Sequence, residues 1–300
     1  GLTIRFGTGA IMSDSADSPR SNVLSFQCPD RLGVVVESAG LFYKLGAFVT
    51  EVSNYSDPVS ETFHMRCVFD DRQMTVSLEE FRQQFEAVAQ DFGMQYHLRP
   101  VDELPRVLLA VSKYDQCLNV LLNKWKSGAL PVQIVGVVSN HPDCQSMTEW
   151  YDLPYFHFPI TKETKPQQEA LILETMDKLD VDLLVLARYM QILSNDLCQQ
   201  LEGRAINIHH SFLPGFKGAK PYHQAYDRGV KVIGATAHYV TSDLDEGPII
   251  VQEVRAIDHE VSVEQMVHLG HDTEATALSQ AVRLHCEERV QLNGHRTVIL

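Results

Sequence analysis

The 300-residue chain has no apolar run approaching the roughly 20 residues that span a bilayer. It is also short of basic charge: 25 Lys and Arg stand against 39 Asp and Glu, a formal net charge of −14. That balance offers no clustered cationic face for phosphates, which argues against a nucleic-acid partner and against an anionic membrane surface. The opening residues lack the long apolar core of a secretory signal. Met12 reads as a natural start, with residues 1–11 upstream of it and 1–21 together a disordered lead. Cysteines stand at 28, 67, 117, 144, 198 and 286, and none form a CxxC. Such scatter fits buried thiols in a reducing cytoplasm better than a disulfide framework or a zinc site. No group of ligands shows metal spacing, so no metal is expected. No repeat and no low-complexity tract is present.

What the chain does have is an ordinary globular composition, 44% apolar and 21% charged, over enough length for two domains. Residues 22–101 carry a strand–helix–strand–strand–helix–strand pattern. An apolar run at 23–26 precedes the breaker CPDRLG. Residues 34–46 space apolar side chains at helical intervals and end on a glycine. Residues 48–56 and 61–70 alternate like strands. Ser77, with Glu80 three residues on, signals a capping box for a helix over 77–93, and MQYHLRP closes the unit. This βαββαβ order predicts a ferredoxin-like α+β sandwich.

Residues 102–105 read as a linker, and 106–300 as a second domain. Apolar runs at 106–112, 132–140, 155–160, 182–188 and 205–211 alternate with polar, helical stretches such as 167–179 and 195–202. This rhythm predicts an α/β domain with a mostly parallel sheet covered on both faces. Runs at 232–241 and 248–257 extend the sheet. A long helix over 263–289 and a tail strand follow.

In such sheets ligands bind at the carboxyl ends of the strands. The run from 205 delivers INIHHSFLPGFKGAKPY there. Asn207 and His209 are two apart on a strand and so share a face, with Ile206 and Ile208 turned into packing. An amide can donate to a developing oxyanion; a histidine can donate as well and can move a proton. Taken alone, both residues would equally suit loop capping, and the DEGP turn at 245–248 would be only a turn.

INIHHSFLPGFKGAKPY, followed after a gap by TAHYVTSDLDEGPII, resembles the signature of the superfamily of transferases and hydrolases that use 10-formyltetrahydrofolate. The resemblance covers roughly residue 105 to the end. It implies a Rossmann-like formyltransferase domain and a catalytic trio of Asn207, His209 and Asp245. LARYMQIL falls on the family's pterin-pocket loop, so Arg188, Tyr189, Met190, Gln191, Ile192 and Leu193 are expected to bind folate. His238 and Gly218 are further candidates within the motifs. His238 equally suits a packing role, and Lys217 and Lys220 are expected to be solvated. In the glycinamide ribonucleotide branch a Gly-rich loop after the first strand cradles the acceptor's phosphate through backbone N–H groups. The corresponding stretch here, AVSKYDQCLNVLL, has no glycine. A methionyl-tRNA acceptor would call for an added C-terminal RNA-binding domain, and the chain is acidic.

Water then remains as the acceptor. CPDRLGVVVESAGLFYKLGAFVTEVSNYSD resembles an ACT domain, a module that often binds amino acids and pairs its sheets across two-fold axes. An ACT domain ahead of this catalytic domain, with SNHPDC and the closing HRTVIL, is similar to the formyltetrahydrofolate deformylase branch. The resemblance implies hydrolysis of 10-formyltetrahydrofolate to tetrahydrofolate and formate, with formate going to purine synthesis. Folate would be the substrate, and no cofactor is expected. It also implies a homodimer or homotetramer and a regulatory ligand near Asp30, Gly33 and Asn54, although Asp30 could instead merely cap the helix. Two rival readings are a formyltransferase to a small amine, with an acceptor site near Lys113 and His141, and a folate- or amino-acid-sensing protein with an inactive catalytic domain.

Overall fold

The structure, a computed structural model, describes residues 19–210, 220–243 and 247–300. The chain divides into two compact units, one ending at Asp102 and the other running from Glu103 to Leu300.

The first unit contains β1 (Ser21–Pro29), α1 (Val34–Leu45), β2 (Phe48–Asp57), β3 (Thr62–Asp70), α2 (Leu78–Phe92) and β4 (Gln95–Pro100). Its antiparallel sheet has the order β2-β3-β1-β4, the ferredoxin-like arrangement expected of an ACT-like module. Apolar positions on β1, β3 and both helices meet in an aromatic core of Phe26, Phe42, Phe69, Phe81 and Phe85. Phe69 and Phe81 pack with centroids 4.9 Å apart. The box predicted at α2 is half made: the Ser77 side chain accepts from Glu80 N at 3.1 Å. Strand β1 is longer than its apolar run suggested, because Asn22, Ser25 and Gln27 pair in the ladder even though they break the apolar pattern.

The second unit follows with β5 (Arg106–Val111), α3 (Gln116–Lys126), β6 (Gln133–Ser139), α4 (Gln145–Trp150), β7 (Tyr155–His157), α5 (Lys165–Lys178), β8 (Leu183–Leu186), α6 (Asn195–Gln200) and β9 (Ala205–His209). After these come α7 (Pro221–Arg228), β10 (Val232–Tyr239), β11 (Ile249–Ala256), α8 (Val263–Cys286), β12 (Val290–Asn293) and β13 (Arg296–Ile299). The seven-stranded sheet has the order β11-β10-β9-β8-β5-β6-β7. Strands β9 to β7 in that order run parallel, while β10 and β11 are antiparallel additions. Strand β8 and β5 after Arg106 are apolar and buried on both faces, as a covered parallel sheet requires. Two cores result, one holding α3 and α8 against the sheet and the other α5 and α6.

Three elements differ from the sequence reading. The run at 155–160 forms a strand only over Tyr155–His157, since β7 is an edge strand with a single neighbour. Residues 221–228 form a helix started by a proline at its first turn. The tail forms a two-stranded β12–β13 hairpin where a single strand was expected.

Phe81 is fully buried and packs against the rings of Phe42, Phe69 and Phe85. Replacing it by alanine is expected to cost about 3–5 kcal/mol. Urea unfolding followed by circular dichroism should show an earlier loss of structure, and an unchanged profile would contradict this packing.

Candidate active site

Asn207 and His209 point from the same face of β9, and Ile206 and Ile208 pack into the core formed with α3 and α8. The antiparallel neighbour β10 sets His238 opposite Asn207 and Thr236 opposite His209. Directly opposed residues in such a pair bring their side chains together. Asn207 Nδ2 accordingly lies 3.5 Å from His238 Nε2. His238 is buried, and its Nδ1 lies 2.8 Å from the Tyr239 carbonyl oxygen. A carbonyl can only accept, so Nδ1 carries the hydrogen, and in the neutral ring Nε2 can then accept from the Asn207 amide. His238 thereby orients Asn207 rather than facing solvent. His209 lies against His210, with ring centroids 4.5 Å apart.

The second motif returns to the same place. The Tyr239 backbone donates to the Pro248 carbonyl at 3.0 Å. A Cβ on Gly247 would stand 1.7 Å from the Tyr239 carbonyl oxygen and 3.0 Å from His238 Nδ1. Only glycine therefore allows the chain at 247 to approach the strand this closely. Asp243, on the near side of that turn, lines the cavity described next. Asp245 itself lies outside the described residues, as do Gly218 and Lys217.

A cavity of about 260 Å³ opens at these strand ends. Asn207, His209 and His238 line it, together with all six residues from Arg188 to Leu193. Met190 and Ile192 are 58% and 60% exposed, an apolar rim suited to a flat ring. Tyr189 is turned away, its hydroxyl accepting from Gln168 Nε2 at 2.7 Å, and burial raises its pKa. The loop is anchored by Ser112 at the end of β5. Met190 N donates to Ser112 Oγ at 3.0 Å, and that hydroxyl donates to Asn140 Oδ1 at 2.8 Å. Asn140 belongs to the SNHPDC motif, whose place is thus structural. Burial pushes the thiol of Cys144 in the same motif up to about 11, so it is no nucleophile.

One acidic residue of the cavity wall escaped the sequence reading. Glu274 sits on the buried face of α8, one turn from Gly270 and one from Leu278. Its carboxylate meets Arg188 Nη1 at 3.2 Å, and the two side chains are 3% and 14% exposed. Burial raises the Glu274 pKa, opposed first by Arg188. The Arg188 guanidinium also lies over the Tyr114 ring, 4.7 Å from its centroid. Tyr222 completes the surroundings: a Cβ on Gly270 would fall 2.0 Å from its ring, so α7 and α8 pack closely here. Burial, then the Glu274 charge, pushes the Tyr222 phenol far up, and burial, then Arg188, lowers His271. A carboxylate within the apolar stripe of a long helix was the available sequence signal.

Lys113 and His141 do not line the cavity, and Lys220 is exposed. In the first unit Asp30 is exposed and donates its N–H to the Glu61 carbonyl; it does not cap α1, whose N-cap is Gly33 with no side-chain bond. Asn54 pairs with Met65, which pairs with Phe26, four residues before Asp30. Two strand spacings and four residue rises separate Asn54 from Asp30 by roughly 16 Å. A single chain therefore does not bring them to one small ligand.

Over residues 105–282 the chain matches the formyl transferase family. It is 48% identical over 279 residues to the formyltetrahydrofolate deformylase of Corynebacterium sp. (strain P-1), covering 93% of this chain and 98% of that one. The crystal structure of formyltetrahydrofolate deformylase from Burkholderia mallei ATCC 23344 superposes with a TM-score of 0.91 at 48% identity, covering 94% of this chain and all of the other. Glycinamide ribonucleotide transformylase 1 from Symbiobacterium toebii gives a TM-score of 0.61 at 29% identity, over 66% of this chain and 94% of that one. Fold and site thus define a member of the formyl transferase class. Within it, this chain belongs to the formyltetrahydrofolate deformylase family.

The Arg188–Glu274 pair has a direct stability consequence. Arg188→Met strands a buried carboxylate and is expected to destabilise by about 3–5 kcal/mol, whereas Arg188→Met with Glu274→Leu costs markedly less. Thermal unfolding of both variants measures the difference; equal losses would contradict the pairing.

Proposed function

We propose that this chain hydrolyses 10-formyltetrahydrofolate to tetrahydrofolate and formate. The observation that carries the reading is the convergence of Asn207, His209 and residues 188–193 on one cavity, in a chain so similar to proteins named for that activity. The pterin enters between Met190, Ile192 and the rest of the loop. Water attacks the formyl carbon, and the carbonyl oxygen gains negative charge. Asn207, held by His238, donates to that oxygen through its remaining amide hydrogen, and His209 adds a second donor. Asp245 holds the attacking water and takes its proton, directly or through His209. The C–N10 bond then breaks as N10 receives a proton from His209. An aspartate at an ordinary pKa of about 3.9 is a weak base, so relay to His209 is the more effective route. Written this way the reaction needs no metal and no separate cofactor.

The competing reading, transfer to a small amine near Lys113 and His141, has no support from the cavity, which neither residue lines. The released formate is available to formate-consuming steps such as purine synthesis.

The first unit acts in this proposal as an ACT-like regulatory module. Its strand β2 lies at a sheet edge and exposes Phe48, Val49, Val52 and Tyr55. An apolar edge of this kind is a template for pairing with a second copy. In a homodimer or homotetramer, Asn54 of one copy can approach Asp30 and Gly33 of another, where the N-terminus of α1 welcomes the carboxylate of an amino acid. We place the protein in the cytoplasm. All six cysteines are free and buried, as suits a reducing compartment. Among the described residues no helix is long and apolar enough to cross a membrane.

Purified protein given 10-formyltetrahydrofolate and no acceptor should release formate and tetrahydrofolate in equal amounts. Asn207→Ala should lower kcat roughly 100–1000-fold, and His209→Ala and Asp245→Asn should abolish turnover. Formate release that survives all three changes would remove the site from the reaction. Sedimentation should find the wild type larger than a monomer. Val52→Lys, which puts a charge on the edge, should shift it towards the monomer, and an unchanged size would exclude β2 as the contact.

A further inference from the structure

The sheet order places β5 beside β8, although the chain leaves β5 towards β6 and returns to β8 only after β7. That neighbouring pair is the topological switch point, outside whose carboxyl ends open α/β sheets form their ligand crevice. In this chain side chains bridge that crevice. Tyr114 follows β5 and Arg188 follows β8, and the Arg188 guanidinium lies 4.7 Å over the Tyr114 ring. Behind it stands Glu274 of α8, 3.2 Å from Arg188 Nη1. The Met190 N–H to Ser112 hydroxyl bond crosses the same gap. At its far side α3 is tied to α8, Gln116 Nε2 donating to Asp272 Oδ1 at 2.6 Å.

Arg188 also adopts φ +64°, a left-handed conformation that long side chains rarely occupy. Strain of that sort persists only where the surroundings over-determine it. Here they do: an ion pair, an aromatic face and the turn out of β8 all fix one side chain. Glycine at this position would relieve the backbone strain, and an apolar partner at 274 would remove the need for a buried cation. Packing alone therefore does not account for Arg188.

We propose that Arg188, locked to Glu274 and covered by Tyr114, is the specificity-determining residue that reserves the formyl carbon for water, because it fills the crevice through which an amine acceptor would reach it. This rests on the hydrolase reading above. A transferase on this fold must admit two organic substrates to one carbon, whereas a hydrolase needs room for one and a water molecule. The cavity is lined by residues 188–193, Asn207 and His209, and Tyr114 of the β5–α3 loop covers Arg188 in its wall. Arg188 and Glu274 are themselves part of that cavity's wall, so the bar stands beside the reacting carbon. With the bar removed, an amine nitrogen attacks the formyl carbon in place of water. The new C–N bond forms, the C–N10 bond breaks, and the proton lost by the amine is gained at N10.

The test compares the wild type, Tyr114→Ala, and Arg188→Gly combined with Glu274→Ala. Removing both charges together leaves neither buried alone. Each protein is given 10-formyltetrahydrofolate and glycinamide, and the ratio of N-formylglycinamide to formate is measured. This partition is independent of overall rate, so a variant slowed by weaker folate binding still reports. The wild type should form no more N-formylglycinamide than appears without enzyme. Either variant should raise the ratio more than about tenfold, a discrimination within the reach of a steric pocket. Ratios unchanged in both variants overturn the proposal, as does a wild type that formylates glycinamide readily. Loss of all turnover in both variants overturns it as well, since the cluster would then belong to the catalytic machinery. Failure of the hydrolase reading itself would show separately, as no formate from the wild type without amine.

Discussion

The antiparallel pairing of β9 with β10 is the constraint on which the site depends. It sets His238 opposite Asn207 and Thr236 opposite His209. A slip of one residue would turn these side chains to the opposite face. The register is held from both directions. Ile206 and Ile208 are committed to the core beneath α8, and Ala235, Ala237 and Tyr239 of β10 join the same core. Polar groups on the other face are then left where a substrate can meet them. Gly247 extends this logic, since the chain at that position can approach the end of β10 only without a side chain.

A second set of ties organises the loops. Ser112 accepts from the backbone of the loop after β8 and donates to Asn140 after β6. One hydroxyl thereby fixes the loops after β5, β6 and β8 relative to each other. Binding geometry at strand ends requires such support, because loops alone are less rigid than the sheet that bears them. The Arg188–Glu274 pair adds a charged strut from α8. A buried ion pair contributes little net stability against an apolar alternative. Under the proposal made above, its place in the cavity wall serves to keep an amine out.

Much of this was legible in the sequence, for identifiable reasons. Alternation and helical spacing specified the βαββαβ unit, and the apolar runs of β5 after Arg106 and of β8 specified a parallel sheet, because burial on two faces leaves few polar positions. The spacing of Asn207 and His209 fixed their common face. The antiparallel sense of β10 was not legible, since a strand buried on both faces carries no mark of direction. The short β7 was overextended because Phe158 still packs against the core beyond the strand's end, its N–H bonding the Ser139 carbonyl. Glu274 was hidden for a different reason: its partner is 86 residues away, and only the fold reveals that the helix delivers it to Arg188. The role of Asn140 was invisible likewise, since its bond to Ser112 spans 28 residues. The three regulatory candidates were chosen by likeness of motif, and the register of β1, β2 and β3 separates Asn54 from the other two within one chain.

The account reduces to one chemical statement: water, admitted to a site built on a transferase fold, is the nucleophile at the formyl carbon. Turnover of 10-formyltetrahydrofolate in water labelled with heavy oxygen tests that statement most directly. The account predicts formate carrying one labelled oxygen, formed in step with tetrahydrofolate and with no amine present. Tetrahydrofolate appearing without labelled formate, or no reaction until an amine is supplied, would contradict it.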